Sequence, residues 1–172
     1  MIKNNNIMYI FCEVINQLEP ESILDVGMFY KSIGGVSRQI LNADISRSIY
    51  ITGVRTDKKD NLNVYNKVYD DIISMDDICE CPYAYKPHSY NSCYSKENNN
   101  DDNKKYLKYD LAIMLSDLVE SKDKDRLIRN IEDKAAYLLI YQDDVKYLTC
   151  NYKGVDIEVD DEKCILIYLS EE

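Results

Sequence analysis

The stretch from Ser22 to Gly35 constrains the fold most, because its hydrophobic period changes from that of a strand to that of a helix within a few residues. The apolar run from Ile23 to Val26 ends at Gly27 and is typical of a strand that is buried on both faces. Beyond the loop, apolar residues recur at helical spacing at Ile33, Val36, Ile40 and Leu41. In an α/β sheet, the loop of such a unit lies at the carboxyl edge, where ligands bind.

The remaining patterns extend this unit into an alternation of strands and helices. An amphipathic stripe predicts a helix from Ile7 to Leu18, and helical spacing predicts a helix from about Asp123 to Asp133. Apolar or β-branched runs predict strands at Ser48–Val54, Val64–Tyr69, Tyr109–Leu115 and Ala135–Tyr141, with one or two helical turns at Ile72–Ile78.

The end of the chain has a different pattern. From Val155 to Val159 apolar and acidic residues alternate, and an apolar run returns from Cys164 to Leu169. Alternation of this kind is typical of a half-exposed antiparallel strand. We therefore predict parallel β/α units closed by an antiparallel hairpin. The length of 172 residues suits a single domain over residues 1–172.

The segment from Cys79 to Lys105 is rich in Tyr, Asn, Ser, Lys and Asp. It has too little apolar surface to offset the entropy of ordering it, so we predict a mobile surface insertion over residues 79–105. It carries four soft metal-ligand types at Cys79, Cys81, His88 and Cys93. Their spacing lacks the paired Cys-x-x-Cys of common zinc sites, so we favour incidental thiols and predict no metal.

Charge and hydropathy limit the classes of partner. The chain has 31 acidic and 21 basic residues and a net charge of −10. Because nucleic-acid affinity comes mainly from clustered Lys and Arg, bulk nucleic-acid binding is not expected. No apolar run approaches the roughly 20 residues that span a bilayer. We expect a cytoplasmic protein with no membrane partner, while the substrate, any protein partner and the oligomeric state stay open.

Three segments resemble class I S-adenosylmethionine-dependent methyltransferases. Ile23-Leu-Asp-Val-Gly27 is similar to the first cofactor motif of that family, Asn66–Asp71 to its third strand with an acidic end, and Tyr109–Glu120 to its fourth strand. The resemblance covers most of the chain. It implies a Rossmann-like methyltransferase fold, with a mostly parallel sheet, helices on both faces and a C-terminal antiparallel hairpin. It also implies a divergent methyltransferase acting on an unknown small molecule or protein.

The resemblance implies a set of site residues. S-adenosylmethionine would be held by Asp25, Gly27, Asp57 beyond the second strand, and Asp70 and Asp71 at the end of the third. Asp25 would orient the cofactor loop or the methionine amino group, or else cap the amides of its own loop. Asp117 and Glu120 follow the fourth strand and are candidate bases for a hydroxyl or amine acceptor, or ordinary surface carboxylates.

Departures from the family pattern support a second hypothesis. Phe29 and Lys31 occupy later glycine positions of the cofactor loop, and Arg55 lies where the family usually places an acid. A ring and an ammonium there would fill the cofactor's place. The alternative function is a non-catalytic binding or interaction module that has lost cofactor binding. A third and more distant hypothesis is an anion or nucleotide site at Lys31, Ser32, Gly34 and Gly35.

Overall fold

The computed structural model describes residues 2–28, 49–56, 69–80, 108–115 and 119–169, without the side chains of residues 2–5, 77, 79, 80 and 121. Within these ranges the helices are α1 (Ile2–Leu18), α2 (Met75–Glu80) and α3 (Ser121–Glu132), with a 3₁₀ helix at Gln142–Tyr147. The strands are β1 (Ser22–Val26), β2 (Tyr50–Arg55), β3 (Asp71–Ser74), β4 (Tyr109–Met114), β5 (Ala135–Tyr141), β6 (Lys153–Val159) and β7 (Glu162–Tyr168).

The seven strands form one sheet in the order β3-β2-β1-β4-β5-β7-β6. β1 to β5 are parallel, whereas β7 is antiparallel to both β5 and β6. The chain moves outward from β1 through β2 to β3 and then returns to the other side of β1 at β4. This reversal makes the carboxyl ends of β1 and β4 a topological switch point, which is where open α/β sheets bind ligands.

Each face of the sheet is covered by its own hydrophobic core. On one face α1 packs against strand side chains, and the cluster includes Ile10, Phe11, Val14, Ile23, Leu111 and Leu139. On the other face α3 does the same, and the cluster includes Leu24, Ala112, Leu127, Ile128, Ile131 and Leu138. The alternation of strand side chains between the two clusters follows from the two-residue period of a strand. The predicted Rossmann-like α/β fold, with helices on both faces and a C-terminal hairpin, is confirmed.

The predicted limits of the third strand are wrong. β3 begins at Asp71, two residues beyond the predicted end of the strand at Tyr69, and occupies part of the segment predicted as helical turns. Ile72 and Ile73 pair with Gly53 and Val54 of β2, and α2 begins only at Met75. An isolated pair of β-branched residues in so short a segment has too little periodicity to separate strand from helix.

Several predicted segments fall wholly or partly outside the described residues. The helix predicted near Ile33–Asn42 and residues 64–68 of the predicted third strand lie there, as do residues 81–105 of the predicted insertion. The backbone of residues 79 and 80 belongs to α2. No helix among the described residues is long and apolar enough to cross a membrane.

Candidate functional site at the carboxyl edge of the sheet

The turn after β1 is tight, and both of its residues, Gly27 and Met28, are buried. Gly27 has a φ of 82°, a conformation that side chains disfavour, and Met28 follows with a φ of 54°. The Gly27 amide donates to the carbonyl of Val54 at 2.9 Å, and the Met28 amide donates to the carbonyl of Asp25 at 3.4 Å. These bonds hold the turn beside the end of β2. The turn therefore lies at the switch point with its glycine in a left-handed conformation.

Asp25 lies in β1, two residues before this turn, and is fully buried. Its Oδ2 accepts a hydrogen bond of 2.7 Å from the hydroxyl of Tyr69, which is itself buried. Burying a carboxyl group is costly unless it is hydrogen-bonded, and a bond to a carboxylate is stronger than one between neutral groups. The structure thus joins Asp25 to Tyr69, from the segment that leads into β3.

The position of Tyr69 depends on Gly53, the residue of β2 that lies level with Asp25. A Cβ on Gly53 would lie 2.9 Å from Cδ1 and 3.0 Å from Cε1 of the Tyr69 ring. A glycine inside a strand often marks such a close approach. The ring lies over bare backbone, and from there its hydroxyl reaches the carboxyl group of Asp25.

The other predicted cofactor residues are only partly in place. Arg55 ends β2 and is half-buried, next to the turn at Gly27, while Asp57 lies outside the described residues, as do Phe29 and Lys31. A guanidinium at this position attracts anions and repels cations. The last residue of β2 is therefore a cation. The acid that the resemblance implies for this region, Asp57, lies two residues further along the sequence.

Asp70 and Asp71 lie at the amino end of β3 instead of its carboxyl end, because the strand runs from Asp71 to Ser74. Asp71 is level with Thr52, in the middle of β2. The carboxylate of Asp70 accepts from the Ile51 amide at 2.8 Å, and its own amide donates to the Ile51 carbonyl at 2.8 Å. Both aspartates are thus separated along the sheet from the turn at Gly27, and Asp70 fixes the entry of the chain into β3.

Of the two candidate bases, Glu120 is described and Asp117 is not. Glu120 is exposed and precedes α3, where its side chain pairs with Lys122 at 2.9 Å. Its hydrogen bond from Lys122 raises the pKa of that lysine. Glu120 stands near the carboxyl end of β4, as predicted, in the setting of a surface ion pair.

A cleft of about 530 Å³ opens at the carboxyl end of β5, on the opposite side of β4 from the Gly27 turn. Its walls come from α3, the end of β5, the 3₁₀ helix and the turn between β6 and β7. The lining residues are Lys124, Tyr141, Gln142, Asp143, Asp144, Asp161, Glu162 and Lys163. Its volume falls in the range typical of small-molecule sites.

The cleft contains four carboxylates and two lysines, and both lysines are paired. Lys124 binds both oxygens of Asp144, at 2.7 and 3.0 Å, and Lys163 lies 3.4 Å from Glu158. The Tyr141 hydroxyl donates to the Leu115 carbonyl at 3.0 Å, which ties the cleft to the end of β4. An excess of acid in the walls favours ligand groups that are positive or neutral over anionic ones.

The described cysteines are free thiols with raised pKa values. Burial, with a smaller contribution from Glu162, raises the pKa of Cys164 to about 12. Burial is also the main cause that raises the pKa of Cys12 and Cys150. Among the described residues no group of three His, Cys, Asp or Glu side chains could hold a metal ion. Cys81, His88, Cys93 and the side chain of Cys79 lie outside them.

Tyr69 was not predicted as a partner of Asp25, although the sequence carries a signal for a close contact. The glycine inside the β-branched run Ile51-Thr-Gly-Val54 weakens a strand unless another group needs the space. That signal indicates a close contact without naming the partner. The cleft at β5 was missed as well, because its walls come from four segments that only the fold brings together.

No protein-family model matches the sequence, and no curated protein matches it. Among solved structures, MnmC2 from Aquifex aeolicus aligns with a TM-score of 0.53 and 13% identity, over 90% of this chain and 56% of that one. A protein from Pseudomonas syringae provisionally named a methyltransferase aligns with a TM-score of 0.48 and 10% identity, over 87% and 86% of the two chains. A Thermoplasma acidophilum protein gives 0.47 and 13%, over 93% and 84%. At these identities the likeness concerns the fold alone.

Proposed function

We propose that the chain is a divergent S-adenosylmethionine-dependent methyltransferase. The observation that carries the proposal is the turn at Gly27, which has a left-handed φ at the switch point of the sheet and follows a buried carboxyl group by two residues. This combination matches the cofactor motif that the sequence resembles. Fold alone does not carry an activity, so the proposal rests on this site.

The described residues around the turn fit the cofactor at β1. Gly27 is buried and has a positive φ, so a side chain there would be strained and would stand between a ligand and the backbone. The carboxyl group of Asp25 lies directly behind the turn and would complement a cation bound in front of it. Because the Gly27 and Met28 amides already donate to the carbonyls of Val54 and Asp25, the cofactor would contact the remaining backbone atoms of the turn, with Asp25 in support and Asp57 as a further candidate.

When bound, S-adenosylmethionine supplies an electrophilic methyl group on a sulfonium. The contribution of this chain would be mostly positioning, because transfer from a sulfonium needs alignment more than a strong acid or base. Asp117 or Glu120, after β4, would take the proton of a hydroxyl or amine acceptor. To take this role, Glu120 would have to leave its surface ion pair with Lys122.

The acceptor would enter through the cleft at the end of β5. The cleft is open, is large enough for a small molecule or one side chain of a protein, and adjoins β4 through the bond from Tyr141 to Leu115. Its surplus of carboxylates favours an acceptor with an amine or another neutral or cationic group. A strongly anionic acceptor would meet like charge at Asp143 and Asp161.

A second candidate function is a non-catalytic interaction module with the same fold. The observation that favours it is Arg55, the last residue of β2. Its guanidinium is a cation and would repel a sulfonium bound at the neighbouring Gly27 turn. In this case the chain would keep the fold and the cleft, and would bind no cofactor at the turn.

Isothermal titration calorimetry with S-adenosylmethionine and S-adenosylhomocysteine separates the two candidates. The methyltransferase proposal expects saturable binding of both ligands, and the variant Gly27→Val should abolish it because the turn requires a positive φ. Gly154→Ala, on the edge strand β6, is the control and should bind like the wild type. Absence of heat and of a thermal shift at millimolar ligand would leave the interaction module as the better account.

A further inference from the structure

We infer that Tyr69 is a positioning residue for the cofactor turn, acting through the carboxyl group of Asp25. The inference rests on the proposed function, because it concerns the same site. Tyr69 belongs to the segment before β3, and its neighbours Asp70 and Asp71 were the residues expected to serve the site. The geometry assigns the contact to Tyr69 instead.

The first step is the hydrogen bond itself. The Tyr69 hydroxyl and Asp25 Oδ2 are 2.7 Å apart, and both side chains are buried, with exposed fractions of 4% and 0%. A buried bond of this kind restricts the carboxyl group to one orientation. A buried carboxyl group costs stability unless it is hydrogen-bonded, so loss of the Tyr69 hydroxyl would leave the Asp25 carboxyl group less well satisfied and free to reorient.

The second step links the carboxyl group to the turn. The backbone carbonyl of the same residue, Asp25, accepts from the Met28 amide, and the Gly27 amide is bound to β2. Movement of Asp25 would therefore alter the bonds that set the left-handed conformations of Gly27 and Met28. Positioning of this kind matters because small displacements of a binding group have large effects on affinity and rate.

The third step is the support of Tyr69. Its ring packs over Gly53, the residue of β2 that lies level with Asp25. The Tyr69 hydroxyl bonds to the Asp25 carboxyl group, and the Asp25 carbonyl accepts from the Met28 amide in the turn. Tyr69 thereby connects the entry to β3 with the end of β1, across β2. We expect the turn after β1 and the segment before β3 to respond together to a ligand.

The test compares Tyr69→Phe with Tyr109→Phe. Both variants remove the hydroxyl of a buried tyrosine and keep its ring, but the Tyr109 hydroxyl donates to Thr52 Oγ1 at 3.1 Å, near the amino end of β4. Calorimetry with S-adenosylhomocysteine should show affinity roughly tenfold weaker in Tyr69→Phe and unchanged in Tyr109→Phe. Thermal unfolding of both variants measures the structural cost separately.

A second measurement needs no ligand. In ¹H–¹⁵N spectra of the free protein, Tyr69→Phe should shift the amides of Gly27 and Met28, and Tyr109→Phe should leave them in place. Asp25→Asn keeps the shape of the side chain and should weaken the ligand at least as much as Tyr69→Phe.

The possible results separate a failure of the role of Tyr69 from a failure of the proposed function. If the wild type binds the ligand and Tyr69→Phe binds it equally well, or if the Gly27 and Met28 amides do not move, the role of Tyr69 is overturned while the proposed function stands. If the wild type does not bind at millimolar ligand, the proposed function fails and the role of Tyr69 fails with it.

Discussion

Lys124 of α3 donates to both carboxylate oxygens of Asp144 in the 3₁₀ helix, at 2.7 and 3.0 Å. The Asp144 side chain is only 6% exposed and that of Lys124 is 21% exposed, so this ion pair is largely withdrawn from water. It joins α3 to the segment after β5 and forms one wall of the cleft. The cleft is thus shaped by a buried charge pair as well as by backbone.

Lys124→Ala should destabilise the protein by about 2–3 kcal/mol, because it leaves the buried carboxylate of Asp144 without its cation. Urea denaturation checks the free energy of unfolding. Lys122→Ala is the matched control, since Lys122 forms an exposed pair with Glu120 and its removal should leave that free energy nearly unchanged. Equal losses in the two variants would show that the pair with Asp144 contributes no more than a surface contact.

Gly53→Ala should cost about 1–3 kcal/mol, because the new Cβ would lie 2.9 Å from a buried ring that is held by its own hydroxyl bond. It should also weaken cofactor binding by displacing Tyr69. Gly154→Ala offers a control with a similarly close contact, 2.8 Å from Ile165 Cδ1, which is the flexible end of a side chain. Urea denaturation measures the free energy of unfolding of both variants, and calorimetry measures their cofactor affinity. A smaller loss of unfolding free energy in Gly53→Ala than in Gly154→Ala would contradict the role of Gly53.

The thiol of Cys164 should make stability fall as the pH rises above 9. Its pKa is about 12 in the folded chain against 9.0 for a free thiol, so in this range the unfolded thiol loses its proton while the folded one keeps it. The unfolded state then binds fewer protons, and the free energy of unfolding decreases with pH. Cys164→Ala should reduce this slope in denaturation curves between pH 9 and pH 11. An unchanged slope would assign the effect to other groups.

The same burial should make Cys164 slow to react with a disulfide reagent in the native protein, because the thiolate is the nucleophile. Peptide mapping after brief labelling at pH 8 should find Cys12 and Cys150, which are half-buried, modified before Cys164. Modification of Cys164 at the rate of the other two would contradict the packing of β7 against α1.

Long or strongly patterned elements could be predicted from the sequence. β5 was placed at its observed limits, and β1, β4 and the terminal hairpin were placed closely, because each has a clear apolar run or a two-residue alternation. β3 was misplaced because Asp71 to Ser74 is too short to carry a period. The error placed Asp70 and Asp71 at the carboxyl end of the strand, whereas they lie at its amino end.

The site could be predicted only where one short segment defines it. Asp25 and Gly27 lie together in the sequence, so the turn at the carboxyl edge of the sheet was predicted, while its role in cofactor binding stays a prediction. The contact with Tyr69 joins residues 44 positions apart through a glycine in a third segment. Contacts of this kind depend on strand register, which pattern alone does not give.

The most direct measurement is a ¹H–¹⁵N titration of the wild-type chain with S-adenosylhomocysteine. We predict saturable shifts centred on the amides of Gly27, Met28 and Arg55, at the carboxyl ends of β1 and β2, with the Asp70 and Asp71 amides little affected. Absence of shifts at millimolar ligand, or shifts confined to the cleft at β5, would contradict the proposed cofactor site.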